Sequence, residues 1–498
     1  MKGLLMFKDR DLKKPEKSNY TEKTVCRDPR DQALCDDLEL EPILSAMADG
    51  DSLIKKVCLQ VLLSPLTKPA QIRYRQEIMK DALAHPQAVR ALYDLCIDTE
   101  NRRKDVWFSL RSYRLTSTFS TAKDLLSIYL DSLQELRKIA DQNRKDFVSP
   151  GFCRFFDMVE KELSDEYFAR VLPLKNRLSS AGGLLISAKF GPYLQGVSYV
   201  FRQKKTRHSR LQWLFAPSYT IADRDDAGAN DLNIRQDRAI NEATNALAQS
   251  AEHLEQFFAL LRRELAFYVG AIRLRDRVEA LGLPVCIPEV LEKTEERRSW
   301  DNLYDISLAL VKGGPVTGNR GSAENQNLII ITGANQGGKT TFLRSVGQAQ
   351  LMAQCGLFVA AEHLTVPVRG QVFTHFKREE DREMERGKLE EELSRMSAIA
   401  DRLREHDLIL FNESFSSTNE REGSQVFGEI TAALLEGRVE IFSVTHLYAY
   451  AARFAEDERA AFLRAQRLPD GSRTFRLLPG KPLETAYGED LYRKVFRE

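Results

Sequence analysis

The stretch "LIIITGANQGGKTTFLRS", Leu328 to Ser345, restricts the fold of this chain more than any other. Gly333 to Thr340 spells GxxxxGKT between an apolar run, Leu328 to Thr332, and a helical pattern whose buried face is predicted to be Phe342, Val346, Ala349 and Ala353. A strand that passes through glycines into a helix gathers backbone N–H groups and the positive end of the helix dipole at one point, which makes a phosphate cradle. In this reading Gly333, Ala334, Asn335, Gln336, Gly337, Gly338, Lys339, Thr340 and Thr341 surround the phosphates of a nucleoside triphosphate. Lys339 reaches the outer phosphates and the Thr340 hydroxyl ligates Mg2+. "DLILFNES" and "VEIFSVTH" are short apolar runs of the kind buried on both faces of a parallel sheet, so an α/β nucleotide-binding domain is predicted from about Trp300 onward.

Two further strand ends carry chemistry. In "LILFNESFSSTNEREG" an apolar strand delivers Asn412 and Glu413. P-loop ATPases use an acid at the first position to hold magnesium through water and a carboxylate to polarise the attacking water. Asn412 can bond a water or Thr340 but brings no charge to the metal, which leaves Glu413 as the candidate base. "FSVTH" then ends another strand with His446, placed to sense the γ-phosphate. Between them, "MERGKLEEELSRMSAIADRL" reads as an amphipathic helix with Leu389, Leu393, Met396, Ala400 and Leu403 on one face and Glu390, Glu391 and Glu392 in its first turn.

Upstream the text is different. From about Leu38 to Leu172 apolar residues recur at helical steps, and between about 184 and 222 short alternating segments, "LLISAKF", "VSYVFRQ" and "LQWLFAPSYTI", suggest a small inserted sheet. Ile240, Leu247, Leu254 and Leu261 then fall seven apart, with Leu265, Tyr268 and Ile272 continuing the stripe. A helix from about Asn233 to Leu281 would be about 70 Å long, and would serve equally as one member of a bundle or as a mechanical lever.

Composition sets limits. A chain of 498 residues has room for about three domains. With 73 Lys and Arg against 72 Asp and Glu there is no overall positive field, so any contact with a polyanion is local. The densest basic run is "FRQKKTRHSRLQWLF", where Arg202, Lys204, Lys205, Arg207 and Arg210 lie between aromatic residues; alternation puts several on one side of a hairpin, where they could meet phosphates. The seven cysteines are scattered without a CxxC pair, which fits reduced thiols, and the N-terminal apolar run is too short for a signal peptide; a cytoplasmic, non-membrane protein is expected.

The order P-loop, polar helix start, strand–Asn–Glu, strand–Thr–His is that of ABC-type ATPases, and its details resemble the MutS family of DNA mismatch-repair proteins. "TGANQGGKTT" resembles the family's P-loop, "NESFSSTNEREG" its following segment with Thr418 and Gly423 in matching places, and "VTH" its histidine switch. "LLSPLTKPAQIRYRQEIMKDAL", around Pro65, Arg75 and Gln76, is similar to the core-domain helices, and "TAYGEDLYRKVF", with Tyr487 and Gly488, to the end of the ATPase domain. Two departures qualify the likeness. Every Phe-x-Glu triplet lies after residue 400, at Phe411, Phe427, Phe454 and Phe496, so direct mismatch reading by a Phe wedge is not expected. At the place of the signature Ser that is aimed at the partner's γ-phosphate stands Gly387, with Lys388 beside it.

The resemblance implies an extension over 1–37, a mainly α-helical core and lever over 38–299 with the inserted β segment, and an ABC-type P-loop ATPase domain over 300–498. It further implies a homodimer that clamps double-stranded DNA, mismatched or branched, under control of ATP and Mg2+. Lys339, Glu413 and His446 would act in catalysis, Thr340 and Asn412 on the metal, and Tyr304 or Asn319 near the base. A nucleotide-gated switch with little turnover is the alternative that Asn412 and Gly387 favour.

Overall fold

The computed structural model describes residues 3–6, 29–107, 115–178, 185–202, 219–378, 387–468 and 471–483. They sort into two compact units, one drawn from Met1–Leu4, Gln87–Val148 and Phe152–Leu265, the other from Leu5–Pro86, Ser149–Gly151 and Ala266–Glu498. Among the described residues no helix is long and apolar enough to cross a membrane.

The first unit is largely helical. Its longest element is the first part of a 55-residue helix, Asp226–Ala280, about 80 Å from end to end. The helix starts earlier than its apolar stripe predicts because "DAGANDL" carries no stripe; Asp225 starts it instead, its carboxylate accepting from Gly228 N–H at 2.8 Å. Of the expected seam, Ile240 and Leu261 are buried while Leu247 and Leu254 are half-buried. Phe258 stacks on Tyr129 of the Leu115–Asn143 helix with ring centres 6.0 Å apart. Arg262–Glu100 and Arg103–Glu255 ion pairs tie the same helix to Pro86–Trp107. The inserted β segment contains an antiparallel hairpin of β1 (Leu185–Phe190) and β2 (Gly196–Arg202), with Leu185 opposite Arg202. The third predicted strand there lies mostly outside the described residues.

The second unit holds two sheets. Strands β3 (Glu289–Leu291), β4 (Arg297–Leu303), β5 (Asn319–Glu324) and β7 (His363–Pro367) form one, in the order β3-β7-β4-β5. The other has six strands: β6 (Leu328–Thr332), β8 (Val372–Phe376), β9 (Leu408–Asn412), β10 (Glu440–Val444), β11 (Ala460–Arg467) and β12 (Arg473–Pro479). Their order is β12-β11-β6-β10-β9-β8, parallel throughout except for β12 at the edge. All residues of β6 and β10 are buried, as their near-continuous apolar sequences require of strands covered on both faces. Strand β10 lies between β6 and β9, so the P-loop strand and the strand ending in Asn412 are neighbours at one remove.

The Lys339–Gln354 helix follows β6. Phe342, Val346, Ala349 and Ala353 are buried as predicted, but so are Gln348, Gln350 and Gln354, because this helix is covered almost all round. The glutamines satisfy buried backbone groups that an apolar side chain would leave unpaired. Gln348 Nε2 donates to Leu38 O at 2.9 Å and Gln354 Nε2 to Leu66 O at 3.0 Å. Arg75 Nη1 donates to Cys355 O at 3.1 Å, just beyond the helix end. The Leu40–Ala48, Ser52–Leu62 and Pro69–Ala84 helices therefore sit with the six-stranded sheet in one compact unit.

Candidate functional site

The C-terminal ends of β6, β10 and β9 place the predicted residues side by side. Leaving β6, the chain turns through Gly333 at φ 110°, Gln336 at 60° and Gly338 at 87°. The left-handed conformation is costly for residues with a Cβ, so glycine suits both ends of the turn. Space adds a second reason: a Cβ on Gly333 would stand 2.9 Å from Ala465 N and one on Gly338 3.2 Å from Phe475 O. Strands β11 and β12 thus press the loop from behind, while Asn335 and Gln336 stay exposed.

Lys339 is 5% exposed and donates to the Gly333 and Ala334 carbonyls at 2.9 and 3.0 Å. Burial pushes its pKa down to about 8, opposed by Glu413 and reinforced by Arg473. One residue on, Thr340 Oγ1 donates to Asn412 Oδ1 at 3.0 Å, so the two predicted metal-site residues meet directly. A hydroxyl and an amide oxygen are hard, neutral donors of the type Mg2+ accepts alongside water and phosphate. The pair fits such an ion but supplies no charge to it.

Glu413 lies past the end of β9 with φ 53°, and its N–H donates to Val444 O at 2.9 Å. His446 Nε2 is 2.9 Å from Glu413 Oε1. That hydrogen bond holds the Glu413 carboxyl below its ordinary range against the effect of burial, and Lys339 and Lys377 add to it. A carboxylate that stays ionised beside a phosphate cradle can orient a water and accept its proton.

Other predicted residues stand elsewhere. Tyr304 is buried and donates its hydroxyl to Pro284 O at 2.8 Å; Asn319 is also buried, its Oδ1 accepting from Leu477 N at 2.7 Å. Neither side chain is open to a nucleotide base in this structure. Gly387 is the N-cap of the Lys388–Ala400 helix and makes no side-chain cap. Arg202 is exposed at the end of β2 and donates to Ser187 Oγ at 2.9 Å. Lys204, Lys205, Arg207 and Arg210 lie outside the described residues, as do Tyr487 and Gly488.

Sequence reading missed the layer beneath Glu413. His375, one residue before the end of β8, is 0% exposed; its Nδ1 lies 2.7 Å from Ser414 Oγ and its Nε2 donates to Glu392 O at 3.1 Å. Burial, with Arg395 next, pushes its pKa down to about 4, so the ring is neutral at ordinary pH. Glu392, predicted as one of three acids in a helix first turn, is buried, its carboxyl raised by that burial and its Oε1 accepting from Ser417 Oγ at 3.2 Å. The signal was available: a histidine inside the apolar run "VFTHF" and a serine directly after the candidate base.

Known proteins resemble the chain in both parts. The family profile described as MutS2 N-terminal domain matches residues 67–281, and that of MutS domain V matches residues 329–467. The chain is 25% identical over 337 residues to "Endonuclease MutS2" of Carboxydothermus hydrogenoformans, covering 66% of this chain and 41% of that protein. To "MutS protein homolog 4" of Mus musculus it is 31% identical over 159 residues, or 32% of this chain and 16% of the relative. To "Endonuclease MutS2" of Thermus thermophilus it is 37% identical over 131 residues, or 25% and 17%. The chain spans less than half the length of each of these relatives. Two profiles of one family fall on the helical part and on the nucleotide-binding part, in the chain order their names give, and the chain belongs to the MutS family.

Proposed function

We propose that this protein is a MutS-like, ATP-dependent DNA-binding protein of mismatch repair or recombination, acting in the cytoplasm as a homodimer. The observation that carries the reading is the meeting of Lys339, the Thr340–Asn412 pair and the Glu413–His446 pair at the ends of three neighbouring parallel strands. ATP is the substrate. Gly333 to Thr341 would cradle its phosphates, with Lys339 exchanging the loop carbonyls for phosphate oxygens. Thr340 and Asn412 would hold Mg2+, which when bound neutralises phosphate charge. Glu413 orients the attacking water and takes its proton, and His446 fixes the carboxylate and lies where a γ-phosphate oxygen can be met.

An ABC-type arrangement, with two copies head to tail around nucleotide, supplies the coupling. The Lys339–Gln354 helix bonds through Gln348 and Gln354 to Leu38 O and Leu66 O, in the connections between the helices before Ala84, so a shift at the cradle would be passed to those connections. DNA would be held through phosphate contacts that include the basic run from Arg202 to Arg210.

Binding of homoduplex, mismatched and branched DNA, each with and without a non-hydrolysable ATP analogue, tests the reading. At least one DNA should change its affinity by about tenfold, within the usual span of allosteric coupling. Equal affinity for every DNA in both conditions overturns it.

The uncharged Asn412 favours a second reading, a nucleotide-gated switch with little hydrolysis. Asn412→Asp and Glu413→Gln decide between them. Wild-type turnover that Glu413→Gln abolishes supports the ATPase, whereas a wild type that binds ATP and is as inert as Glu413→Gln supports the switch.

A further inference from the structure

We infer that His375 is a positioning residue for hydrolysis: bonded to Ser414, it holds the turn that aims the Glu413 carboxylate at His446. The inference rests on the proposed ATPase reading and assigns the part of the site that the P-loop strand does not supply.

The turn is strained. Glu413 has φ 53° and Phe415 φ 57°, so two residues with side chains stand in the left-handed region with one residue between them. A residue with a Cβ is disfavoured in that region and persists only where its surroundings over-determine it. Glu413 N–H and C=O are both engaged, by Val444 O at 2.9 Å and Ser416 Oγ at 2.7 Å. The next link is His375. Ser414 Oγ lies 2.6 Å from His375 O and 2.7 Å from its Nδ1, and the imidazole is stacked on the Phe415 ring at 5.3 Å and 12°. Both left-handed residues therefore flank a serine whose hydroxyl lies between the backbone carbonyl and the ring nitrogen of one buried residue and has a single proton to share between them.

Strand β8 needs no imidazole for its own sake. Its other residues are Val372, Phe373, Thr374 and Phe376, all buried, and a phenylalanine would fill the same volume without two ring nitrogens to satisfy. What the imidazole adds is the pair of bonds, one to Ser414 and one to Glu392 O on the Lys388–Ala400 helix. The geometry of that helix and of the Glu413 turn is thereby set by one ring.

A misplacement of about 1 Å at a general base costs about 10²-fold in rate, whereas phosphate binding by Gly333 to Thr341 does not pass through β8. His375→Phe, which keeps the stacking, and Ser414→Ala, which removes only the hydroxyl, should each lower kcat by about tenfold to 10²-fold with KM for ATP within about twofold of wild type. His375→Asn, which keeps a polar atom near Nδ1, should recover most of the loss. The inference is overturned by His375→Phe turning over like wild type while Glu413→Gln is inert. If Glu413→Gln itself turns over like wild type, the hydrolytic reading fails, and amide hydrogen exchange of residues Glu413 to Ser417 without nucleotide decides the positioning claim on its own. Exchange about tenfold faster in His375→Phe upholds it; the wild-type rate overturns it.

Discussion

The two ends of the six-stranded sheet use polar residues in opposite ways. At the C-terminal ends the backbone is left-handed at Gly333, Gln336, Gly338, Glu413 and Phe415, and Thr340, Asn412, Glu413 and His446 are only partly buried. At the other end Glu440 and Asp407 are buried and closed off by their partners. Glu440, the first residue of β10, accepts from Arg298 Nε at 2.9 Å, Arg298 Nη2 at 2.8 Å and Arg369 Nε at 2.6 Å. Gln350 Oε1 takes a further Arg298 bond at 2.8 Å, and Asp407 accepts from Gln371 N and Arg404 N, both at 2.8 Å. The comparison teaches that polarity alone does not mark a site: a saturated network anchors the strands, while strained, singly bonded groups remain able to change partners.

Three substitutions or conditions test that contrast, beginning with the largest effect. Glu413→Gln should lower ATP turnover by about 10²–10⁴-fold while changing the unfolding free energy by no more than about 1 kcal/mol. A steady-state assay beside denaturant unfolding measures both, and a stability loss as large as the kinetic one would erase the distinction between the ends. Arg298→Met should do the reverse. It leaves a buried carboxylate with one guanidinium fewer, costing about 3–5 kcal/mol of stability, and ATP affinity measured on the folded protein should stay at the wild-type value.

The third test is acid. Burial pushes Glu440 up, but Arg298 and then Arg369 outweigh it and hold the carboxyl down from 4.5 to about 2. A depressed carboxyl adds stability above its unfolded pKa that disappears as pH falls through the folded one. Its share, on the order of 3 kcal/mol, should be complete above about pH 4.5 and fade between about 4.5 and 2. Denaturant midpoints across that window check it, and Arg298→Met should flatten the slope.

How much of this the sequence could disclose depended on what kind of force was at work. The P-loop, β6, β9 and β10 were legible because glycine spacing and unbroken apolar runs are local signals. The helix ending at Ala280 was legible wherever apolar residues faced one side, and failed at its start, where a cap and no stripe defines it. Gln348, Gln350 and Gln354 look like a solvated face in sequence; partners distant in the chain, Leu38 and Leu66 for Gln348 and Gln354 and Arg298 and Pro367 for Gln350, make them interior. Glu392 misled in the same way, since acids in a first turn are ordinarily exposed. His375 and Ser414 are 39 residues apart, and nothing short of the β8–β9 register brings them together.

The Lys339 ammonium rests on the carbonyls of its own loop. Peptide and ligand thereby compete for one cation, and the winner must present more negative potential than two carbonyl dipoles do. On the proposed function, a short, weakly charged phosphate would be at a disadvantage in that contest and a triphosphate would not, so a single side chain would favour the longer polyanion.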